Sequence, residues 1–298
     1  MDLTFVKLVI GTRLECDVKD SWMLFRSRET FQEVFRSVAE CRKGGCEGCG
    51  EKECPYRAIF SQALSSDPAA VRRHQKPPLP FAFRFPVLPA APNKGERFDV
   101  GLTLVGSAVM HGNLFLKALE NWFEGNGAGS PIARIERVES EGYFGERFPW
   151  SYDGEAVPLL LSASGLSDTG MIGDRIALTL VTPLKIMAQG RPLRFFSFPR
   201  FFRSLMRRVT SLAAIYGEGD VEGDFRWLSS ECEEVSLSGV GMKWVDWRGG
   251  TIGGVVGEAQ VSGVREEFLP FLLLGQYLNL GKGASFGLGQ FSVRPVAS

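Results

Sequence analysis

The stretch "RFDVGLTLVGSAVMHGNLFLKALENWF", residues 97–123, decides the fold. Its first part, 97–106, is rich in the branched and aromatic residues that are typical of a β-strand. Its second part, 108–123, carries apolar residues at helical spacing and predicts a helix. The segment "IARIERVES" (132–140) then alternates apolar and polar residues, which indicates a half-buried strand.

The same kind of pattern extends upstream. Residues 3–11, "LTFVKLVIG", predict a strand, and residues 28–41 place their apolar side chains on one helical face. The prolines of 77–92 predict an irregular segment, and the Gly, Ser and Pro residues of 141–173 predict a connection. The order strand, helix, strands, helix, strand fits the split β-α-β-β-α-β unit of ferredoxin-like proteins.

This order recurs after the connection. The second set is a strand at 174–186, a helix at 198–217, strands at 242–247 and 253–261, a helix at 267–281 and a final strand at 286–295. We therefore predict an α+β protein of tandem ferredoxin-like (RRM-like) domains, at 1–165 and 170–298. A small cysteine-rich metal knuckle at 41–54 belongs to the first domain.

The composition is that of a globular protein, with 298 residues, 44% hydrophobic and 23% charged. The 34 Lys and Arg balance 34 Asp and Glu, so only the distribution of charge can indicate a polyanionic partner. The apolar run at 268–275 is too short for a membrane span, and "MDLTFVKLVIG" does not resemble a signal peptide. We expect a cytoplasmic protein without a membrane partner.

Four cysteines, Cys41, Cys46, Cys49 and Cys54, lie within fourteen residues, with glycines between them that permit tight turns. Four thiolates suit a closed structural zinc site. An iron–sulfur cluster is the rival, since Pro55 follows the last cysteine, although the ferredoxin spacing is absent. Two local disulfides or four idle thiols are the remaining alternatives.

Positive charge is concentrated between residues 191 and 217, which contain six arginines and no acidic residue. On the predicted helix Arg200, Arg203 and Arg207 form one stripe, with Arg208 at its edge. A solvated face is the alternative, but the absence of acids favours a track for an RNA or DNA backbone. A second basic run, 72–84, includes His74.

The segment "GKGASFGLGQF" (281–291) is rich in glycine but is not a Walker loop, because the order of that motif is absent. It follows a predicted helix and opens the final strand, which is the reverse of a Rossmann loop. Alone it indicates little more than a turn.

Together with the rest of the chain, this loop resembles the RAMP superfamily of CRISPR-associated proteins, and within it the repeat-processing endoribonucleases that carry a cysteine knuckle. The resemblance rests on six segments in order: "CPYRAIF", "FDVGLTLVGSAVM", "LTLVTPLKIMAQGRPL", "FFRSLMRRVTSLAAIYG", "GGTIGGVVGEAQV" and "FLLLGQYLNLGKGASFGLGQF". It implies a protein that binds CRISPR repeat RNA and cuts precursor CRISPR RNA. It also implies attack by the RNA's own 2′-hydroxyl without a catalytic metal, which leaves a 2′,3′-cyclic phosphate.

The resemblance assigns roles to individual residues. The loop backbone and its neighbours would contact RNA phosphate, and Arg248 would add a further contact. The RNA-binding set is Gly281, Lys282, Gly283, Ser285, Phe286, Gly287, Gly289, Arg200, Arg203, Arg207, Arg208 and Arg248. The catalytic candidates are His111, as general base, and Lys282. His74 is a weaker candidate, and Trp244 and Trp247 fit aromatic packing better than RNA contact.

Other functions remain open at this point. The first predicted helix has no histidine, and Asn279 or Leu280 stands where related nucleases carry one before the loop. A cleavage-deficient repeat-binding protein, a structural subunit of a CRISPR effector complex and a zinc-stabilised nucleotide-binding domain are the alternatives. A homodimer and a partnership with an effector complex are both compatible with the sequence.

Overall fold

The computed structural model describes residues 3–20, 22–41, 46, 49–51, 53–61, 77–89, 91–125, 131–150, 158–167, 173–217, 223–247 and 252–296. The chain forms two compact units. The N-terminal unit is Phe5–Leu160, and the C-terminal unit is Leu161–Ser298 together with Met1–Thr4.

The N-terminal unit contains one sheet and two main helices. Its elements in chain order are β1 (Thr4–Leu14), a 3₁₀ turn (Met23–Arg26), α1 (Ser27–Val38), α2 (Pro55–Phe60), β2 (Phe81–Arg84), β3 (Arg97–Val105), a 3₁₀ helix (Gly106–His111), α3 (Gly112–Phe123), β4 (Ala133–Glu141) and β5 (Arg147–Pro149). The sheet order is β2-β3-β1-β4-β5, and each of these pairs is antiparallel. The first four strands have the order expected of a ferredoxin-like unit.

Phenylalanine fills the core between this sheet and its helices. The ring of Phe31 on α1 lies 4.9 Å from that of Phe83 on β2, and Phe115 on α3 lies 4.9 Å from Phe35 and 5.0 Å from Phe81. All five side chains are buried. Tilted and edge-on ring pairs of this kind add to the burial of apolar area, so α1 and α3 are fixed on one face of the sheet.

The C-terminal unit repeats the plan. Its elements are β6 (Leu161–Ser162), α4 (Ala163–Ser167), β7 (Arg175–Leu184), β8 (Met187–Ala188), β9 (Arg191–Pro192), α5 (Phe198–Tyr216), α6 (Phe225–Glu231), β10 (Ser236–Ser238), β11 (Lys243–Trp247), β12 (Ile252–Ser262), a 3₁₀ turn (Glu266–Phe268), α7 (Leu269–Leu278) and β13 (Phe291–Pro295). The sheet order is β10-β12-β7-β13, with β11 also paired to β12, and β8 and β9 form a separate hairpin. Both units are therefore ferredoxin-like, as predicted.

Helices α5 and α7 pack closely against β13. A Cβ added at Gly275 on α7 would lie 2.5 Å from a methyl carbon of Leu205 and 2.7 Å from the ring of Phe291. Phe202 on α5 and Phe268 have ring centroids 4.3 Å apart. Only glycine allows this approach, so Gly275 lets α7 pack tightly against α5 and β13. The glycine-rich segment follows the end of α7.

Three details of the sequence prediction were wrong. The proline-rich segment contains a real strand, β2, because its prolines flank Phe81–Arg84 and leave the ladder N–H groups intact. The expected connection contains β5 and β6. The last strand begins at Phe291 rather than at 286, because the preceding glycines adopt positive φ angles that a strand cannot contain.

Among the described residues, no helix combines the length and the apolar character that a membrane crossing requires.

Candidate nucleic-acid interface

The glycine loop, residues 281–289, is a compact set of turns between α7 and β13. Gly281, Gly283, Gly287 and Gly289 have φ angles of +84°, +86°, +84° and +66°. A side chain is strained in this region of backbone space. The glycines are therefore required by the path of the chain itself, whatever the loop binds.

Most of the loop's N–H groups donate to backbone carbonyls of the loop or of the residues next to it. Lys282 N–H donates to the Lys185 carbonyl (3.0 Å), and Gly289 N–H donates to the Pro183 carbonyl (3.1 Å). The N–H groups of Ala284, Phe286, Gly287 and Leu288, and of Leu280 just before the loop, also donate to backbone carbonyls. Within the described part of the chain, the N–H groups of Gly281, Gly283 and Ser285 have no backbone acceptor.

These three groups are the loop's candidate phosphate donors. Gly281 and Gly283 are half-exposed and flank Lys282, whose side chain is exposed, whereas Ser285 is buried. Phe286 is half-exposed and engaged in a contact of its own. The N–H groups on either side of Lys282 therefore fit an anion better than those of the rest of the loop.

The residues before the loop support its shape. Asn279 is fully buried with a φ angle of +53°, and its side-chain amide donates to the Ala284 carbonyl (2.9 Å). Leu280 is 2% exposed. Neither position, at which the resemblance predicts a histidine, presents a side chain at the surface.

Arg208 also supports the loop. Its Nε and Nη2 donate to the Leu278 carbonyl, at 3.1 and 2.9 Å, at the end of α7. Burial of the guanidinium lowers the pKa of Arg208 to about 10. A cation at a helix C-terminus satisfies a carbonyl that has no partner within the helix. Arg208 therefore acts within the fold, and its guanidinium is not part of the exposed arginine stripe.

The other three arginines of α5 lie on its outer side, as predicted, and the opposite side packs in the core. Arg203 is tied to α6, because it donates to Ser229 (2.7 Å) and forms an ion pair with Glu233 (2.6 Å). Arg200 and Arg207 are exposed and have no acidic partner among the described residues. These two are the available cations of the helix.

The N-terminal unit shows the contrasting arrangement. Its sheet carries arginines that pair with acids on neighbouring strands, such as Arg97 with Glu136 (2.8 Å) and Arg137 with Asp99 (2.9 Å). The charges of these arginines are neutralised within the sheet. Positive charge without acidic partners is thus found beside α5 and the glycine loop, where phosphate would neutralise it.

The sequence analysis missed further cations in this region. No acidic residue occurs from Arg175 to Gly217, a longer window than the one that drew attention to α5. It adds Lys185, whose carbonyl holds the glycine loop. It also contains Arg194, one of the six arginines at 191–217. The Arg194 guanidinium lies 5.3 Å from the centre of the Trp244 ring. Trp244 thus packs under a cation, which agrees with the packing role expected for it.

His111 lies in the N-terminal unit, at the end of the 3₁₀ helix and immediately before α3. Its side chain makes no capping hydrogen bond. The Trp150 ring covers the neighbouring backbone, since a Cβ at Gly112 would lie 2.7 Å from it. Burial lowers the pKa of His111 below its usual 6.5, so the imidazole is neutral near pH 7. It has the protonation state of a general base.

The four clustered cysteines lie between α1 and α2 in the N-terminal unit. Cys54 precedes α2, Cys49 N–H donates to the Cys46 carbonyl (3.2 Å), and Arg57 donates to the Cys49 carbonyl (3.0 Å). All four are free thiols and half-exposed. Burial and the nearby sulfurs of Cys41, Cys54 and Cys49 raise the pKa of Cys46.

The thiols are therefore close enough to interact, and a donor set of four sulfurs suits zinc. Even so, within the described ranges no group of three or more His, Cys, Asp or Glu side chains has the arrangement of a metal site. Two of the predicted functional residues, Arg248 and His74, lie outside the described residues.

Two family models match the chain, one on each side of the boundary between the two units. Residues 178–291 match the family model described as CRISPR-associated endoribonuclease Cas6, a segment that includes α5 and the glycine loop. Residues 26–156 match a model described as an N-terminal domain. No curated protein matches the chain in sequence.

Solved structures share its fold at low sequence identity. A partial Cas6-RT-Cas1–Cas2 complex matches with a TM-score of 0.63 and 12% identity over 98% of this chain and 46% of that one. A Cas6 product complex has a TM-score of 0.57 and 16% identity over 98% and 99% of the two chains. Thermus thermophilus Cas6 has 0.57 and 14% over 99% and 100%. The chain thus spans less than half of the first of these relatives.

Proposed function

We propose that this chain, whose residues 178–291 match the family model described as CRISPR-associated endoribonuclease Cas6, binds CRISPR repeat RNA and cleaves precursor CRISPR RNA. The observation that supports it most is the position of the family match. It spans α5 with Arg200 and Arg207 and the glycine loop with Lys282, and these three cations have no acidic partner among the described residues. A fold shared with Cas6 structures alone would not distinguish an RNA-binding protein from another ferredoxin-like protein.

The proposed reaction is an internal transesterification. The RNA 2′-oxygen forms a bond to the adjacent phosphorus while the bond from phosphorus to the 5′-oxygen breaks, leaving a 2′,3′-cyclic phosphate and a 5′-hydroxyl. A base takes the proton from the 2′-hydroxyl, and an acid gives one to the leaving oxygen. His111 is the proposed base, because burial keeps it neutral near pH 7.

Cations must balance the charge that develops on the crowded phosphate. Lys282 is the proposed contributor, since its side chain is exposed and the N–H groups beside it lack backbone acceptors. Arg200 and Arg207 are proposed to hold the flanking RNA backbone. Arg203 and Arg208 are proposed to support the surface rather than to touch RNA, because both are engaged within the unit.

The test uses labelled repeat RNA in EDTA. We expect a single cut that leaves a cyclic phosphate, a loss of cutting in His111→Ala, and normal cutting in Met110→Ala. Met110 is the matched control because it adjoins His111 and is 84% exposed. Specific binding without cutting by the wild-type chain would replace the proposed activity with that of a repeat-binding protein. Absence of specific binding would refute both.

The non-cleaving protein remains a second candidate for a specific reason. Asn279 and Leu280 are both buried, so the segment before the glycine loop offers no exposed proton acceptor. His111 alone carries the proposed base function in the described chain. Cutting by the wild-type chain therefore decides between the two candidates, and His111→Ala tests whether His111 is the base.

We also propose that Cys41, Cys46, Cys49 and Cys54 hold a structural zinc ion, with an iron–sulfur cluster as the alternative. The support is the donor set of four thiols near α2. When bound, zinc would stabilise the fold around α2 and take no part in cleavage. Metal analysis should find one zinc per chain, retained in Cys16→Ser and lost in Cys46→Ser. Iron would identify the alternative, and no metal would refute both.

A further inference from the structure

A depression beside the glycine loop has the properties of a nucleotide subsite. It is shallow and open to solvent, and it lies at the ends of β7 and β12, against the segment that joins β9 to α5. Its lining is mostly apolar and consists of Leu184, Ile186, Leu193, Phe195, Phe196, Ser197, Arg200 and Val255. We call it the Phe195 pocket.

Two aromatic rings at this pocket differ in their packing. Phe196 is anchored, because its ring lies 5.7 Å from that of the buried Phe201 on α5. Phe195 is 67% exposed. A large exposed ring on a fixed support is a surface on which an unpaired base can stack.

The polar groups at the pocket suit a phosphate. Arg200 is exposed without an acidic partner in the described chain, and the Ser197 side chain makes no capping hydrogen bond to α5. Lys185 and Arg194 belong to the same acid-free window of sequence. The site therefore combines an apolar base platform with the Arg200 cation, which favours a nucleotide over an apolar peptide.

The pocket is continuous with the glycine loop through one side chain. Leu184 lines the pocket, and its methyl carbon would lie 3.1 Å from a Cβ at Gly281 and 3.3 Å from one at Gly289. The adjoining Lys185 carbonyl accepts the Lys282 N–H (3.0 Å). The pocket and the loop therefore adjoin each other at Leu184.

We propose that one unpaired nucleobase of the bound RNA stacks on the exposed ring of Phe195 at the mouth of the Phe195 pocket, while Arg200 contacts the adjoining phosphate. This inference rests on the proposed function, because it names a base-binding subsite for the same RNA. It adds to the predicted phosphate contacts a position at which the protein requires an unpaired base.

Phe195→Ala in the full chain tests the proposal, with binding of fluorescein-labelled repeat RNA measured by anisotropy. Loss of one stacked base should weaken binding by about 5- to 150-fold. The matched control is Phe144→Ala, which removes a ring that is 80% exposed in the N-terminal unit and should bind as the wild type does. Phe195→Trp should retain binding, because the larger ring still stacks.

A second measurement separates stacking from charge. Phe195→Ala should leave the salt dependence of binding unchanged, whereas Arg200→Gln should reduce its slope by about one. Repeat RNAs with a single abasic nucleotide then locate the base. One abasic position should weaken binding to the wild type and have no further effect on Phe195→Ala.

The outcomes distinguish a failure of the base-binding subsite from a failure of the proposed function. If the wild type binds and cuts the repeat but Phe195→Ala matches Phe144→Ala, the subsite is refuted and the proposed function stands. Equal losses at every abasic position would also refute the subsite. If the wild type neither binds nor cuts the repeat, the proposed function fails and the subsite with it.

Discussion

Gly289→Ala should destabilise the C-terminal unit far more than an alanine at an ordinary glycine. Gly289 has a φ angle of +66°, and a Cβ there would lie 1.8 Å from the Leu280 carbonyl oxygen. The left-handed backbone costs about 1–2 kcal/mol for a residue with a side chain. The clash also forces Gly289 away from Leu280 and Pro183, whose backbone hydrogen bonds each contribute about 0.5–1.5 kcal/mol.

The expected loss is therefore about 2–5 kcal/mol. At about 4 °C per kcal/mol for a unit of this size, the Tm of the C-terminal unit should fall by about 8–20 °C. Differential scanning calorimetry measures the shift. The control is Gly190→Ala, since Gly190 has a φ angle of +79° but open space around its Cβ position. A shift for Gly289→Ala no larger than that of Gly190→Ala would refute the argument that contact with Leu280 requires this glycine.

Three further predictions concern binding and pH. Lys282→Ala and Arg207→Gln should each weaken binding to all RNA sequences and lower the salt slope by about one, while Arg208→Lys should leave the slope unchanged. An unchanged slope for Lys282→Ala would exclude it from phosphate contact. If His111 is the base, the rise of the cleavage rate with pH should be centred below pH 6.5, because burial lowers the pKa of His111. A rise centred above pH 6.5 would implicate another group. For stability, the unfolded chain binds the His111 proton more readily, so the free energy of unfolding should fall as pH drops below 6.5, and less so in His111→Gln. Urea denaturation on both sides of that pH measures the difference.

Both ferredoxin-like units could be predicted because their patterns are local. The 19 residues of α5, for example, carry buried phenylalanines and outward arginines at helical spacing. Strand β2 was not predicted, because a high density of prolines is typical of irregular structure. The positions of the prolines determine whether a strand can form, and here they lie on either side of β2. The chain from Phe81 to Arg84 retains its N–H groups and pairs with β3.

The candidate site was harder to predict than the fold. Glycine content indicated a special loop at 281–289, but sequence cannot show which N–H groups the loop uses internally. Helical spacing placed Arg203 and Arg208 near the outer stripe, yet both engage partners distant in sequence, Glu233 and the Leu278 carbonyl. The Phe195 pocket left no sequence signal, because its lining comes from strands and a loop that only the fold brings together.

The C-terminal unit includes residues from the very start of the chain. Ala163 N–H donates to the Leu3 carbonyl (3.0 Å), and Leu3 is fully buried. During synthesis Leu3 leaves the ribosome long before its partner, so this part of the unit can close only after Ala163 has emerged. A fragment that starts at Leu161 would fold without that contact. The free energy of unfolding measured on such a fragment would lack the contribution that Leu3 makes to the C-terminal unit of the intact chain.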